Sequence, residues 1–144
     1  MPDGRFRHYY WQIRTLLSEN DHLLDTNHAA YELCDDYEVE YTGTFWATIV
    51  FEGGSRLVVR FTLESNDGIE ECNYAYVYLD AHGTRVFQYD DAPHHPELPT
   101  HPHHVHKGRQ PTKGPDRAWP LDIPRVDFVT VLSKIVREHL EDTA

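Results

Sequence analysis

Apolar side chains recur at Phe6, Tyr9, Tyr10, Ile13, Leu16 and Leu17. Spacings of three and four put them on one face of a helix, so residues 4–19 are predicted as an amphipathic helix. Asp3 can cap its start, and the Ser18–Asp21 cluster ends it. Residues 21–35 are mixed and read as a connector with the start of a strand. The period then drops to two. Tyr37, Val39 and Tyr41 alternate with polar residues, and Phe45, Ala47, Ile49 and Phe51 form one face of a second strand. Gly53-Gly54 signals a hairpin whose return strand presents Leu57, Val59, Phe61 and Leu63. After the Asn66-Asp67-Gly68 turn, Tyr74, Tyr76 and Tyr78 share one strand face. Ala81-His82-Gly83 then turns the chain into a strand over 84–89. Pro124 suits the first position of a last helix, lined by Phe128, Val129, Leu132, Ile135, Val136 and Leu140. The order α-β-β-β-β-β-α predicts an α+β fold: an antiparallel meander of four to five strands with N- and C-terminal helices packed on one face. No internal repeat or boundary divides residues 1–144, so one domain is expected.

Between the last predicted strand and that helix the periodicity fails. Residues 89–107 read Tyr-Asp-Asp-Ala-Pro-His-His-Pro-Glu-Leu-Pro-Thr-His-Pro-His-His-Val-His-Lys, with six of the eleven histidines and four of the nine prolines of the 144-residue chain. Proline fixes the backbone and removes donors, which predicts a stiff loop outside helix and central sheet. Imidazoles at this density are poor core fillers. They are well suited to holding protons near neutral pH or metal ions.

Charge changes the picture locally. The net charge is −11, which argues against a general nucleic-acid-binding surface. Yet Lys107, Arg109, Lys113 and Arg117 follow the histidines against Asp116 alone, predicting a flexible basic loop and a local anion site. Cys34 and Cys72 lie in no Cys-x-x-Cys pair, which argues against a disulfide framework or thiolate zinc site. No apolar run approaches the ~20 residues that span a bilayer, and residues 1–7 do not lead into a signal-peptide core, so a cytoplasmic protein without membrane contact is expected. Nucleotide-binding glycine motifs and a Gly-x-Ser-x-Gly elbow are absent.

Two chemistries fit the histidines. The first needs no cofactor: His94, His95, His104 and His106 act as the acid–base set of an RNA-cleaving site. Such cleavage needs a base for the 2′-hydroxyl, an acid for the leaving 5′-oxygen and a cation on the phosphate. Arg85, Lys107 and Arg109 are the candidate phosphate-binding groups, and Tyr74 and Tyr76 the candidate base-stacking ones. The alternative is a site for zinc or another transition metal in a non-catalytic interaction module. There His104 and His106 point the same way from an extended segment and His95 adds a third imidazole. Asp90, Asp91 or Glu97 could supply a fourth ligand.

The same residues carry a family likeness. Arg85, Tyr89, Asp90, Ala92, Pro93, His94, His95, Pro96, Glu97, Thr100, Pro102, His104 and His106, behind Tyr74-Ala-Tyr76, resemble the signature of the TumE-type toxins of prokaryotic toxin–antitoxin systems. The likeness covers about residues 40–140. Asp91 departs from it where asparagine is usual, and His101 where phenylalanine is usual. It implies a growth-inhibiting toxin neutralised by a helix-turn-helix antitoxin encoded beside it. RNA as substrate is inferred from the residues alone, and a homodimer is left open.

Overall fold

The computed structural model describes residues 4–25, 31–36, 42–65 and 68–140. The expected strand over 37–42 and the Asn66-Asp67 turn fall almost wholly outside these residues, as does Asp3. A first helix, α1 (Gly4–Glu19), leads through a short 3-10 turn, Asp21–Leu23, into the sheet. Strands β1 (Tyr31–Asp36), β2 (Thr42–Val50), β3 (Arg56–Ser65), β4 (Ile69–Leu79), β5 (Arg85–Asp90) and β6 (His104–Lys107) follow one another across it in chain order, each antiparallel to the last. The second helix, α2 (Phe128–Ile135), continues into a π-helical turn, Val136–Leu140.

β2 to β5 match four strands of the predicted meander, β1 falls where a connector with the start of a strand was expected, and both helices pack on one face of the sheet. Ile13 and Leu17 of α1 and Phe128, Val131, Leu132 and Ile135 of α2 share one core with Phe45, Ile49, Leu57, Val59, Phe61, Tyr76 and Tyr89 of the sheet. Burying each such side chain contributes about 1.5–3 kcal/mol. Aromatic rings run through the middle: Phe45 stacks on Phe61 at 4.7 Å, and Phe128 meets Phe45 edge-on at 6.3 Å. The period-two pattern therefore chose the inner face correctly. Tight turns keep the strands in register. Gly53 and Gly54 both take positive φ (92° and 96°) in the three-residue connection between Phe51 and Ser55, a backbone that glycine adopts without strain.

Three details depart from the sequence reading. The helix near the C-terminus does not start at Pro124. Asp127 is its N-cap, and its side chain accepts from the Thr130 amide at 2.8 Å. The buried stripe then falls on 128, 131, 132 and 135, so Val131 points in and Val129 is 56% exposed. Part of the histidine stretch is strand, because β6 adds to the edge of β5. Its outer edge is closed in turn by Trp119, which exchanges both backbone hydrogen bonds with Val105 (3.0 and 2.8 Å). The segment read as a flexible basic loop is therefore fastened to the sheet.

Glu71 ties the helical layer to the sheet. Its carboxylate accepts from the hydroxyls of Tyr76 on β4 and Tyr9 on α1 and from the Phe128 amide at the start of α2. Burial pushes its pKa up from 4.5 to about 7, against the pull of those three donors. A carboxyl whose pKa is raised on folding stabilises fully below its unfolded value and loses that contribution as pH rises through the folded one. Stability should therefore fall between about pH 4.5 and 7 by up to about 3 kcal/mol from this group. Melting wild type beside Glu71→Gln isolates it: the difference in Tm should shrink or reverse over that window and be flat above it. A difference independent of pH would show that Glu71 ionises normally.

Candidate functional site

β5 and β6 carry the site on the face away from the helices. Their register sets Gln88 opposite His106 and Asp90 opposite His104. Alternation then puts all four side chains on one side, while Phe87, Tyr89 and Val105 point into the core. Asp90 is the hub. Its Oδ1 lies 2.8 Å from His104 Nε2, and its Oδ2 lies 3.5 Å from His106 Nε2. The Gln88 amide donates to Oδ2 at 2.9 Å, and the Ala92 backbone N–H to Oδ1 at 3.1 Å. Burial works against the charged carboxylate. The hydrogen bonds from His106, Ala92 and Gln88 outweigh it and hold Asp90 below its ordinary pKa. His106 is shifted up by its bond to Asp90, which prevails over burial; the Arg117 carbonyl adds to the rise.

Both strand histidines are fixed at Nδ1 by backbone carbonyls: His104 by Pro102 and His106 by Arg117, each at 2.9 Å. Carbonyls only accept, so each Nδ1 carries hydrogen and each Nε2 faces inward toward Asp90. His95, on the loop after β5, completes the group. Its ring lies 4.8 Å from that of His104 and 5.7 Å from that of His106, and its Nδ1 is 3.5 Å from Glu97. One nitrogen from each of His95, His104 and His106 falls within 4.8 Å of the others. They stand in a cleft of about 790 Å³ that also takes in His94, Asp91, Asp116 and Arg60.

The sequence candidates divide accordingly. His94, His95, His104 and His106 do converge, but only His94 is exposed and His95 half-buried; His104 is 1% exposed. Arg85 is at the margin and not free for phosphate. A register shift after Tyr78 sets it opposite Leu79. There its guanidinium binds both oxygens of Asp116 (2.7 and 2.8 Å), the Gly108 carbonyl and the Gln88 side chain. That pairing holds Asp116 below its ordinary pKa. Arg85 thus acts through Gln88 on Asp90.

Lys107 leaves β6 on the other side, 3.4 Å from Asp122 and over the Trp119 ring, so it is not a phosphate ligand here. Arg109 is exposed past the end of β6, outside the cleft wall. Tyr74 and Tyr76 cannot stack bases: they are 2% and 0% exposed beneath the helical layer. The Tyr74 ring stacks on His103, which meets its hydroxyl at 2.7 Å. Cys72 is half-buried, its thiol bonded to the Thr62 carbonyl.

Residue-by-residue reading missed Gln88 and Asp116. Gln88 was findable, being two residues before Asp90 on a strand. Asp116, the lone acid in a basic run, gave no local signal. Asp91 has a structural task. Two residues of β4, Asn73 and Tyr74, stand against the single residue Phe61 of β3, and Asn73 takes a φ of 49°. The two amides freed by this bulge donate to the two Asp91 oxygens at 2.9 and 3.0 Å. An amide side chain offers one acceptor where two are used. Asp91→Asn should therefore cost about 1–3 kcal/mol in urea unfolding. An unchanged midpoint would mean the bulge does not need the second acceptor.

Among the described residues no helix is long and apolar enough to cross a membrane. A protein-family model described as Toxin TumE matches residues 16–141. No curated protein and no solved structure matches the chain.

Proposed function

The chain belongs to the TumE family, the toxin components of toxin–antitoxin systems, and so has an antitoxin partner; from that premise we propose that it poisons cells by cleaving RNA in the histidine cleft. The observation that carries this reading is the convergence of His94, His95, His104 and His106 on one solvent-reachable cleft around Asp90.

The roles divide by exposure. His94, exposed at the wall, takes the 2′-hydroxyl proton, and water in the open cleft protonates the leaving 5′-oxygen. His104, His106 and Asp90 form a rigid polar floor, with the loop residue His95 beside it, that orients the scissile phosphate. Arg60, on the open sheet face beside them, is the protein cation within reach of it. Single-stranded RNA is the fitting substrate class, since its splayed backbone can enter a cleft that a duplex cannot. That target places the action in the cytoplasm. A helix-turn-helix antitoxin with a basic docking surface would complement a toxin of net charge −11.

Purified toxin should cut RNA oligonucleotides at internal phosphodiesters, and His94→Ala should slow this by ~10²–10⁴-fold, the usual worth of a proton-transfer group. Induced in cells without antitoxin, the wild type should arrest growth and His94→Ala should not. Full toxicity from both His94→Ala and His95→Ala, with RNA left intact, would overturn the reading.

A further inference from the structure

The floor of the cleft has a feature that proton transfer does not explain. In His104 and His106 one nitrogen is spent on a backbone carbonyl and the other is aimed at a common centre. Fixing Nδ1–H on a carbonyl leaves Nε2 as the ring nitrogen for the centre; it donates to Asp90 without an ion and would release that proton on binding one, the arrangement that orients metal-binding imidazoles. Proton shuttles need access to water, and these rings are 1% and 7% exposed. The centre they face also holds a carboxylate braced by Gln88 and Ala92, and the half-exposed imidazole of His95.

We propose that His95, His104 and His106, with Asp90, bind one divalent transition-metal ion, zinc being the leading candidate. Three imidazoles and a carboxylate suit zinc and its first-row neighbours, while magnesium and calcium prefer oxygen alone and copper(I) prefers sulfur. The distances are close to what is needed. Nitrogens ~2.0–2.1 Å from a tetrahedral ion lie ~3.3 Å from one another. The three here lie within 4.8 Å, so the widest pair closes by about 1.5 Å on loading. His104 and His106 are locked on the strand. His95 sits on a loop and is the member that moves.

The ion would also add to the positive charge of Arg60, the one arginine among the described residues lining the cleft. Asp90, Asp91 and Asp116 line it, Arg85 is spent on Asp116, and Lys107 lies on the other face. A phosphate entering it meets more negative than positive charge unless a cation is bound. This catalytic consequence rests on the RNA-cleaving reading; the binding itself does not.

The test uses full-length protein without a polyhistidine tag, stripped with chelator and titrated with Zn²⁺ or Co²⁺ by calorimetry and visible absorption. One equivalent per chain is expected, with cobalt bands of imidazole coordination. His95→Ala should weaken binding by at least ~100-fold, since even outer partners of metal ligands are worth ~10–100-fold. His101→Ala, exposed on the same loop, should bind as wild type does. His104→Ala is compared only where its circular dichroism is native, so His95 carries the test. Absence of saturable binding, or equal binding by wild type and His95→Ala, overturns the proposal. RNA cleavage that persists in chelator on metal-free protein overturns the catalytic consequence and leaves a metal-free mechanism, while the titration alone decides the binding. One bound ion without any RNA cleavage sustains it and removes the RNA reading instead.

Discussion

The antiparallel register between β5 and β6 is the constraint on which the site depends. Slipping β6 by one residue would send His104 and His106 into the core and bring Val105 out, leaving Asp90 on β5 without its imidazoles. The register is held on both edges of β6. Phe87 to Asp90 pair with it on one side, and Trp119 bridges Val105 on the other. It is held again by the apolar side chains of the opposite face, which have only one way to reach the helices. The fold thus fixes the chemistry through packing: the same alternation that buries Tyr89 and Val105 presents Asp90 and His104.

Two carboxylates on opposite faces of this sheet show how environment decides charge. Asp90 and Glu71 are both largely removed from water, and burial pushes both toward the neutral form. Asp90 faces two imidazoles, an amide side chain and a backbone N–H, and stays below its ordinary pKa. Glu71 faces two phenol hydroxyls and one backbone N–H, and its pKa rises to about 7. Imidazole can take up a proton and become a cation; phenol cannot. One carboxylate is therefore kept as an anion for the cleft, while the other is a near-neutral pin between layers. Among the described residues, no fully buried side-chain nitrogen or oxygen lacks a partner. An unsatisfied polar group in either place would cost about 1–3 kcal/mol.

Much of this was legible in the sequence because it depends on alternation. Period two in residues 45–63 gave the core face of two strands, and the pairing of His104 with His106 followed from the same rule. The density of histidine and proline gave the site's location, and Asp90 was in reach as a fourth ligand. What escaped was non-local. Lys107 looked like a neighbour of the histidines, but one step along a strand puts it on the other face. Arg85 looked like a free cation until Asp116, 31 residues away, met its guanidinium. The tyrosines could face solvent or core equally well by pattern, and only the helices covering them decide. β6 was hidden because prolines argue against strand, yet they stop two residues before it starts.

Charge at two length scales bears on how such a site could act on RNA. A chain of net charge −11 repels a polyanion at long range, and no steering of the kind basic nucleases use is available to it. Productive encounter must then depend on short-range contacts inside the cleft. Screening helps here, because repulsion between surface charges fades beyond about 8 Å at physiological ionic strength, while contacts within the cleft are far less affected. A centre of three imidazoles and one carboxylate would carry net positive charge once it held a divalent ion. An acidic toxin with a locally cationic floor would bind RNA weakly in general and firmly only where a phosphate reaches that floor. Such a molecule would leave most of its acidic surface for the antitoxin while the cationic floor of the cleft faced the substrate.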